Sequence, residues 1–220
     1  MEIEKFLRRV MQNKKFFLIS LLVISNFSLA SCLEPHKNLK NFFNLKSFSA
    51  DFQQTFYDSN TDKFDGNIIL EKPHYLKLIM KQPERTDLII NEKSVYRVNY
   101  DLDQAVKYKK ENIINQIPAA FLLLGAKDIC KTFEKITCTK DKCFIKPKDT
   151  SYLISINLIF NKTVLKEISY INSFGDEAFI LLSNFQLKSE LSPALFSYNQ
   201  EVTEFIVLEL AGYFLCYFNL

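Results

Sequence analysis

Two histidines, five cysteines and scattered acidic residues are the side chains of this 220-residue chain that could do chemistry. His36 and His74 are the only imidazoles, and His74 directly follows Pro73, so both read as surface residues at segment ends rather than as a base or a ligand. Neither a G-x-S-x-G elbow nor an H-E-x-x-H pair occurs. Cys130, Cys138 and Cys143 follow a C-x7-C-x4-C spacing with no matching histidine, which does not make a zinc site. Only four glycines are present, too few for a phosphate-cradling loop. Asp101 with Asp103, and Asp176 with Glu177, lie in turn-like stretches where carboxylates serve solvation. The sequence therefore nominates no catalytic residue, no metal and no cofactor.

The cysteines suggest covalent chemistry of another kind. Cys138 and Cys143 flank Thr139-Lys140-Asp141-Lys142, a hairpin-like turn, and opposed strand positions are close enough to bridge. A Cys138–Cys143 disulfide, a disulfide involving Cys130, and free thiols are the alternatives. Cys32 ends the stretch Ser28-Leu29-Ala30-Ser31-Cys32, which parses in two ways. Ser28 and Ala30 suit a signal-peptidase site that would release a chain starting at Ser31, whereas Leu29–Cys32 resembles a lipobox that would leave Cys32 as an acylated N-terminus.

Both parses need an exported chain, and the preceding residues supply the signal. Lys14 and Lys15 introduce the apolar run Phe16–Ile24, too short to span a bilayer as a helix but suited to a signal-peptide core. Residues 1–30 are read as the signal peptide, and Met11 would start one of ordinary proportions. This segment also explains the charge. Lys5, Arg8, Arg9, Lys14 and Lys15 against Glu2 and Glu4 carry the whole net charge of +3, so the chain from residue 31 is formally neutral. No electrostatic footprint for nucleic acid remains.

Most of residues 48–205 alternates with the period of two that marks strands. Phe48, Ala50 and Phe52 alternate with Ser49, Asp51 and Gln53; Leu76, Leu78 and Met80 with Lys77, Ile79 and Lys81; Tyr96, Val98 and Tyr100 with Val95, Arg97 and Asn99. Tyr152–Phe160, Val164–Ile171 and Ala178–Lys188 follow, separated by turn signals, which predicts an antiparallel sheet or barrel. His36–Lys46 and Ile113–Phe133 instead have helix-like spacing, with Pro118 suited to a first helical turn. Phe occurs 21 times and Tyr 10 times, a surplus that either fills a core or lines an apolar cavity under an incompletely covered sheet.

From Phe48 onward several ordered stretches resemble the periplasmic outer-membrane lipoprotein carrier family, LolA. FSADFQQT (48–55) resembles its opening strand, and FDGNIILEKPHYLKLIMKQPE (64–84) resembles its signature of a glycine, a basic-Pro pair, a strand and a second Pro. DLIINEKSVYRVNYDLDQAVKY (87–108) resembles the next hairpin, and IPAAFLLLG (117–125) sits where the family has an apolar lid helix. The order continues through CFIKPKD and FQLKSELSPALFSY to about residue 200.

The resemblance implies a mainly β fold: an incomplete, half-open antiparallel β-barrel with a helical lid and an apolar cavity. It implies a monomeric periplasmic chaperone, not an enzyme, that takes triacylated lipoproteins from an inner-membrane ABC transporter and passes them to an outer-membrane acceptor. Residues 31–206 would form this single domain. Its lipid-binding wall would comprise Phe52, Ile68, Leu70, Leu76, Leu78, Met80, Leu88 and Ile90, with Phe121, Leu122 and Leu124 from the lid. Lys72, where the family usually has Arg, would latch the lid helix by hydrogen bonds. An ammonium lacks the planar fork of a guanidinium, so a weaker latch and an easier-opening lid are expected.

The resemblance favours cleavage after Ala30. An acylated Cys32 would instead suit a membrane-anchored, LolB-like acceptor, and a structural β-barrel lipoprotein binding protein by its apolar face is a third reading. After Tyr198 the family pattern lapses, and 207–220 form an apolar tail within FIVLELAGYFLCYFNL. Leu208, Leu210, Phe214, Cys216 and Phe218 fall on even positions, as in a final strand lining or closing the barrel; a frame-altered terminus would give the same lapse.

Overall fold

The computed structural model describes residues 36–57, 63–199 and 202–208. The signal segment 1–30, Cys32 and the tail beyond Leu208 lie outside the described residues. The chain forms helix α1 (Lys37–Asn44), then strands β1 (Ser47–Phe56), β2 (Lys63–Glu71), β3 (Tyr75–Gln82), β4 (Thr86–Ile90), β5 (Ser94–Asn99) and β6 (Gln104–Lys109). A helical connection follows, with α2 (Lys110–Ile113), 3₁₀ turns Ile114–Gln116 and Pro118–Leu123, and α3 (Ala126–Thr132). Strands β7 (Phe133–Cys138), β8 (Lys142–Pro147), β9 (Leu153–Asn161), β10 (Val164–Asn172) and β11 (Glu177–Leu187) precede a 3₁₀ turn, Pro193–Phe196, and β12 (Glu204–Leu208).

The twelve strands of the described residues join one open sheet in the order β12-β6-β5-β4-β3-β2-β1-β11-β10-β9-β8-β7. Two meanders, β2 to β6 and β7 to β11, are built from neighbouring antiparallel strands. They are fused by β1, which pairs with β2 on one side and β11 on the other. The expected half-open barrel is thus present. Among the described residues the one departure from the antiparallel pattern is β12, which lies parallel to β6 with Ile206 opposite Val106. An aromatic stack holds that edge: the ring of Tyr198 lies 5.5 Å from Tyr96 and 5.4 Å from Phe205.

Period-two patterning produces the inner face. Leu70, Leu76, Leu88 and Ile90 are fully buried, and they join inward residues of β1, β5, β6 and β8 to β11 in one apolar cluster. α1 covers part of this face, burying Leu39, Phe42 and Phe43 on one side, as its helix-like spacing requires. Ile113–Phe133 is not the single helix its spacing suggests. Pro118 is tolerated in a first turn but removes a backbone donor, and Ile117 and Leu124 adopt extended backbone around the 3₁₀ turn Pro118–Leu123.

Glycine is needed at one inner position. A Cβ on Gly66 would lie 2.0 Å from the backbone oxygen of Ile79 and 3.0 Å from the Phe52 ring. The β2–β3 register shifts between Asp65 and Gly66, so a bulge brings the two backbones together where Phe52 packs over them. At the far end of the sheet Cys138 and Cys143 are directly opposed across the β7–β8 hairpin and joined by a disulfide.

Candidate functional site

The site is an apolar cavity between the inner face of the sheet and the 3₁₀ turn Pro118–Leu123. In a 3₁₀ turn residues three apart eclipse one another, so this short segment presents two different stripes. Ala119 and Leu122 face the sheet and close a cavity of about 30 Å³ over Phe52, Ile68 and Leu78. Pro118, Phe121 and Leu124 face the other way, into an open groove of about 500 Å³ whose far wall includes Phe133 and Leu153 and whose rim carries Lys131, Lys148 and Asp149.

The candidate wall residues therefore occupy three environments. Phe52, Ile68, Leu78 and Leu122 border the inner cavity. Leu70, Leu76, Leu88, Ile90 and the slightly exposed Met80 pack in the surrounding core. Phe121 and Leu124 border the outer groove. The inner cavity is barely wider than one water molecule, so a molecule longer than a few atoms fits there only if the covering segment lifts.

Two polar side chains interrupt this apolar lining, and the sequence reading did not single them out. Gln54, on β1, is fully buried, and its Nε2 donates to the Tyr170 hydroxyl over 3.5 Å. Tyr170 lies on β10, two strands away, and the contact passes over β11 beside the small Ala178, the cross-strand neighbour of Tyr170. Gln54 Oε1 is buried with no hydrogen-bond partner among the described residues, which costs on the order of 1–3 kcal/mol. Burial also pushes the Tyr170 phenol well above its usual range, so it stays protonated and able to donate. The signal was in the alternation: Gln54 continues the inward parity of Phe48, Ala50 and Phe52, where a polar residue is out of place.

Lys72 follows β2, and its backbone N–H bonds to the Lys46 carbonyl. Its Nζ donates to the carbonyls of Phe42 (3.1 Å) and Phe43 (3.2 Å) and lies 4.9 Å from both ring centroids. These carbonyls end α1, which has no basic residue in its own last turn, so Lys72 supplies the cation that a helix C-terminus favours. The latch thus grips α1, not the lid segment 117–125. Burial pushes the Lys72 amine down to about 7, against the pull of the carbonyls and ring faces, which favour the ammonium. Among the described residues no cluster of metal ligands occurs, and no helix is long and apolar enough to cross a membrane.

Known proteins agree with this architecture. An outer-membrane lipoprotein carrier protein of Nitrosomonas europaea is 28% identical over 173 residues, covering 74% of this chain and 83% of the relative. Another from Francisella tularensis subsp. novicida is 31% identical over 121 residues, covering 53% of this chain. That match spans only 59% of the Francisella protein's length. Among solved structures, an uncharacterized conserved protein from Thermus thermophilus shares the fold with a TM-score of 0.50 at 11% identity, covering 79% of this chain and 99% of that one. The pattern of the family described as outer membrane lipoprotein carrier protein LolA matches residues 43–199, and this chain belongs to that family.

Proposed function

We propose that the protein is a periplasmic carrier that shields the acyl chains of lipoproteins, without catalysis, between an inner-membrane ABC transporter and an outer-membrane acceptor. One observation carries the reading: a buried apolar sheet face closed by a short 3₁₀ segment over a nearly filled cavity, beside a helix held by one lysine. Family membership and the names of the relatives support it. Each exposed methylene costs about 0.8 kcal/mol in water, so several long chains cannot cross an aqueous compartment uncovered. Empty, the carrier solves its own version of this problem by seating Ala119 and Leu122 where acyl chains would lie. Loading exchanges one apolar contact for another, which keeps the balance close enough for cargo to move on.

Incubating the mature, monomeric protein with inner-membrane vesicles that contain lipoproteins and their releasing transporter tests the proposal. Recovery of a soluble complex with a triacylated lipoprotein is expected; recovery of the protein without acyl chains overturns it. The mass of the mature N-terminus, free Ser31 or acylated Cys32, distinguishes a diffusing carrier from an anchored acceptor.

A further inference from the structure

We infer that Cys32 is joined to Cys130 by a disulfide, and that this bond keeps Cys32 from lipidation and leaves the protein a freely diffusing carrier. The inference rests on the exported, periplasmic reading above and not on the binding of acyl chains. It starts from Cys130 on α3, which is half-buried and packed against the apolar core. Cys130 is disulfide-bonded, and Cys138 and Cys143 are bonded to each other. Five cysteines are present in all, so the partner of Cys130 is Cys32 or Cys216.

The fold favours Cys32. It lies five positions ahead of Lys37, where α1 begins, and α1 packs directly against α3. Five residues reach at most about 18 Å, and the helix they lead into already sits beside α3, so closing this loop loses little chain entropy. Cys216 lies eight positions beyond Leu208, where β12 ends at the opposite edge of the sheet from β7, the strand that continues α3. The end of β12 borders the same hollow as Ile114, and Ile114 also borders the outer groove. From there α3 is approached on the side of Lys131 and Thr132, which line that groove, and not on the side of Cys130.

In an oxidising compartment the bond forms by thiol–disulfide exchange. The two thiols lose two protons and two electrons, and a disulfide of an exported thiol oxidase takes them up and becomes a dithiol. A diacylglyceryl thioether would need the same Cys32 sulfur, so the two modifications exclude one another. Cleavage after Ala30 then leaves Ser31 ahead of a bonded Cys32, with no anchor at that sulfur. The bond also holds α1 just ahead of its start, while Lys72 holds the carbonyls at its end. With both ends of α1 fixed, opening of the cavity falls to the 3₁₀ turn Pro118–Leu123.

The test expresses the full-length precursor in a host with intact lipoprotein-processing enzymes, alkylates free thiols, and reads a non-reduced tryptic digest by mass spectrometry. Peptide 31–37 is expected joined to peptide 128–131, with the protein in the soluble periplasmic fraction, and reduction should separate the two. Cys216→Ser should leave the joined pair intact. Cys32→Ser should open Cys130 to alkylation and lower the midpoint of urea unfolding. A diacylglyceryl group on Cys32, Cys130 joined to Cys216, or an alkylated Cys130 in the parent protein overturns the inference. None of these readouts involves cargo, so the bond can fail while the vesicle experiment above still yields a lipoprotein complex, and the carrier reading can fail while the bond stands.

Discussion

Lys72 donates to the carbonyl of Phe42 over 3.1 Å and also sits 4.9 Å from the centroid of the same residue's ring. One side chain thus holds both the backbone end and the aromatic face of α1, and a second such pair of contacts reaches Phe43. Because Phe42 packs on Phe48 and Phe160, with ring centroids 5.9 and 6.2 Å away, the latch fixes how α1 seats across the sheet.

Replacing Lys72 by Met keeps the apolar stem and removes the donors. Two carbonyls at the end of α1 then lose a partner, at a cost of about 1–3 kcal/mol, measurable by urea unfolding. Lys72→Arg works in the other direction on dynamics, because a guanidinium can grip both carbonyls through a fixed fork. Slower release of a bound lipoprotein is expected; unchanged loading and unchanged release would show that the latch does not control opening.

The depressed amine of Lys72 gives stability a pH dependence of definite sign. With a folded value of about 7 against the ordinary 10.5, the unfolded chain holds a proton that the folded chain lacks throughout that interval. Stability therefore rises with pH above about 7, by at most about 1.4 kcal/mol per unit, and this contribution is flat below it. The same sign holds for any open state that exposes Lys72, so acidification from pH 9 to pH 7 favours opening. Denaturation midpoints at pH 7 and 9 check this, and Lys72→Met should abolish the difference.

Gly66→Ala should be disproportionately harmful for one methyl group. The new Cβ would meet the Ile79 backbone oxygen, which cannot swing aside as a side chain does, and would press on Phe52. A loss of about 1–3 kcal/mol is expected from such overpacking. Phe52→Leu in the same background should recover little, because the closer clash is with backbone. Full recovery would place the strain in the ring instead.

Asp87 is buried on the outer face of β4, where it pairs with Lys77 Nζ at 3.0 Å and accepts from the Tyr100 hydroxyl at 3.1 Å. Lys77→Met leaves this carboxylate without its cation and should cost about 3 kcal/mol, whereas Tyr100→Phe removes one hydrogen bond and should cost about 1 kcal/mol. Chemical denaturation of the two variants separates the effects.

The alternation of Phe48 to Phe52, Leu76 to Met80 and the later segments made the strands legible, because a half-buried strand writes its inner face into every second residue. The parallel pairing of Glu204–Leu208 with β6 was not legible, since an alternating segment specifies a strand but not its neighbour. The helical character of Ile113–Phe133 was legible from its apolar spacing, but its division into short pieces was not, because that spacing carries no sign of the extended backbone at Ile117 and Leu124 that flanks the 3₁₀ turn Pro118–Leu123. The acceptors of Lys72 were not legible, because they lie about 30 positions upstream and distance along the chain carries no address. The Gln54–Tyr170 contact spans 116 positions, and only the odd polarity of Gln54 on an inward face hinted at it.

The hardest distinction to read from sequence, core against cavity wall, is open to measurement at two leucines. Leu122 borders the inner cavity from the covering segment, and Leu76 is fully buried in the sheet. Truncating either to alanine should cost about 2–5 kcal/mol, because each loses the same buried atoms and the surroundings relax only in part. Their effects on binding should diverge. Leu122→Ala enlarges the space over Phe52 and Ile68 and weakens the seat of the segment that must lift, so methyl dodecanoate should bind more tightly. Leu76→Ala opens a void that cargo does not reach, and affinity should stay at the parent value. If the two variants changed affinity alike, the 3₁₀ turn would not be the door to the cavity, and entry would have to follow the displacement of α1.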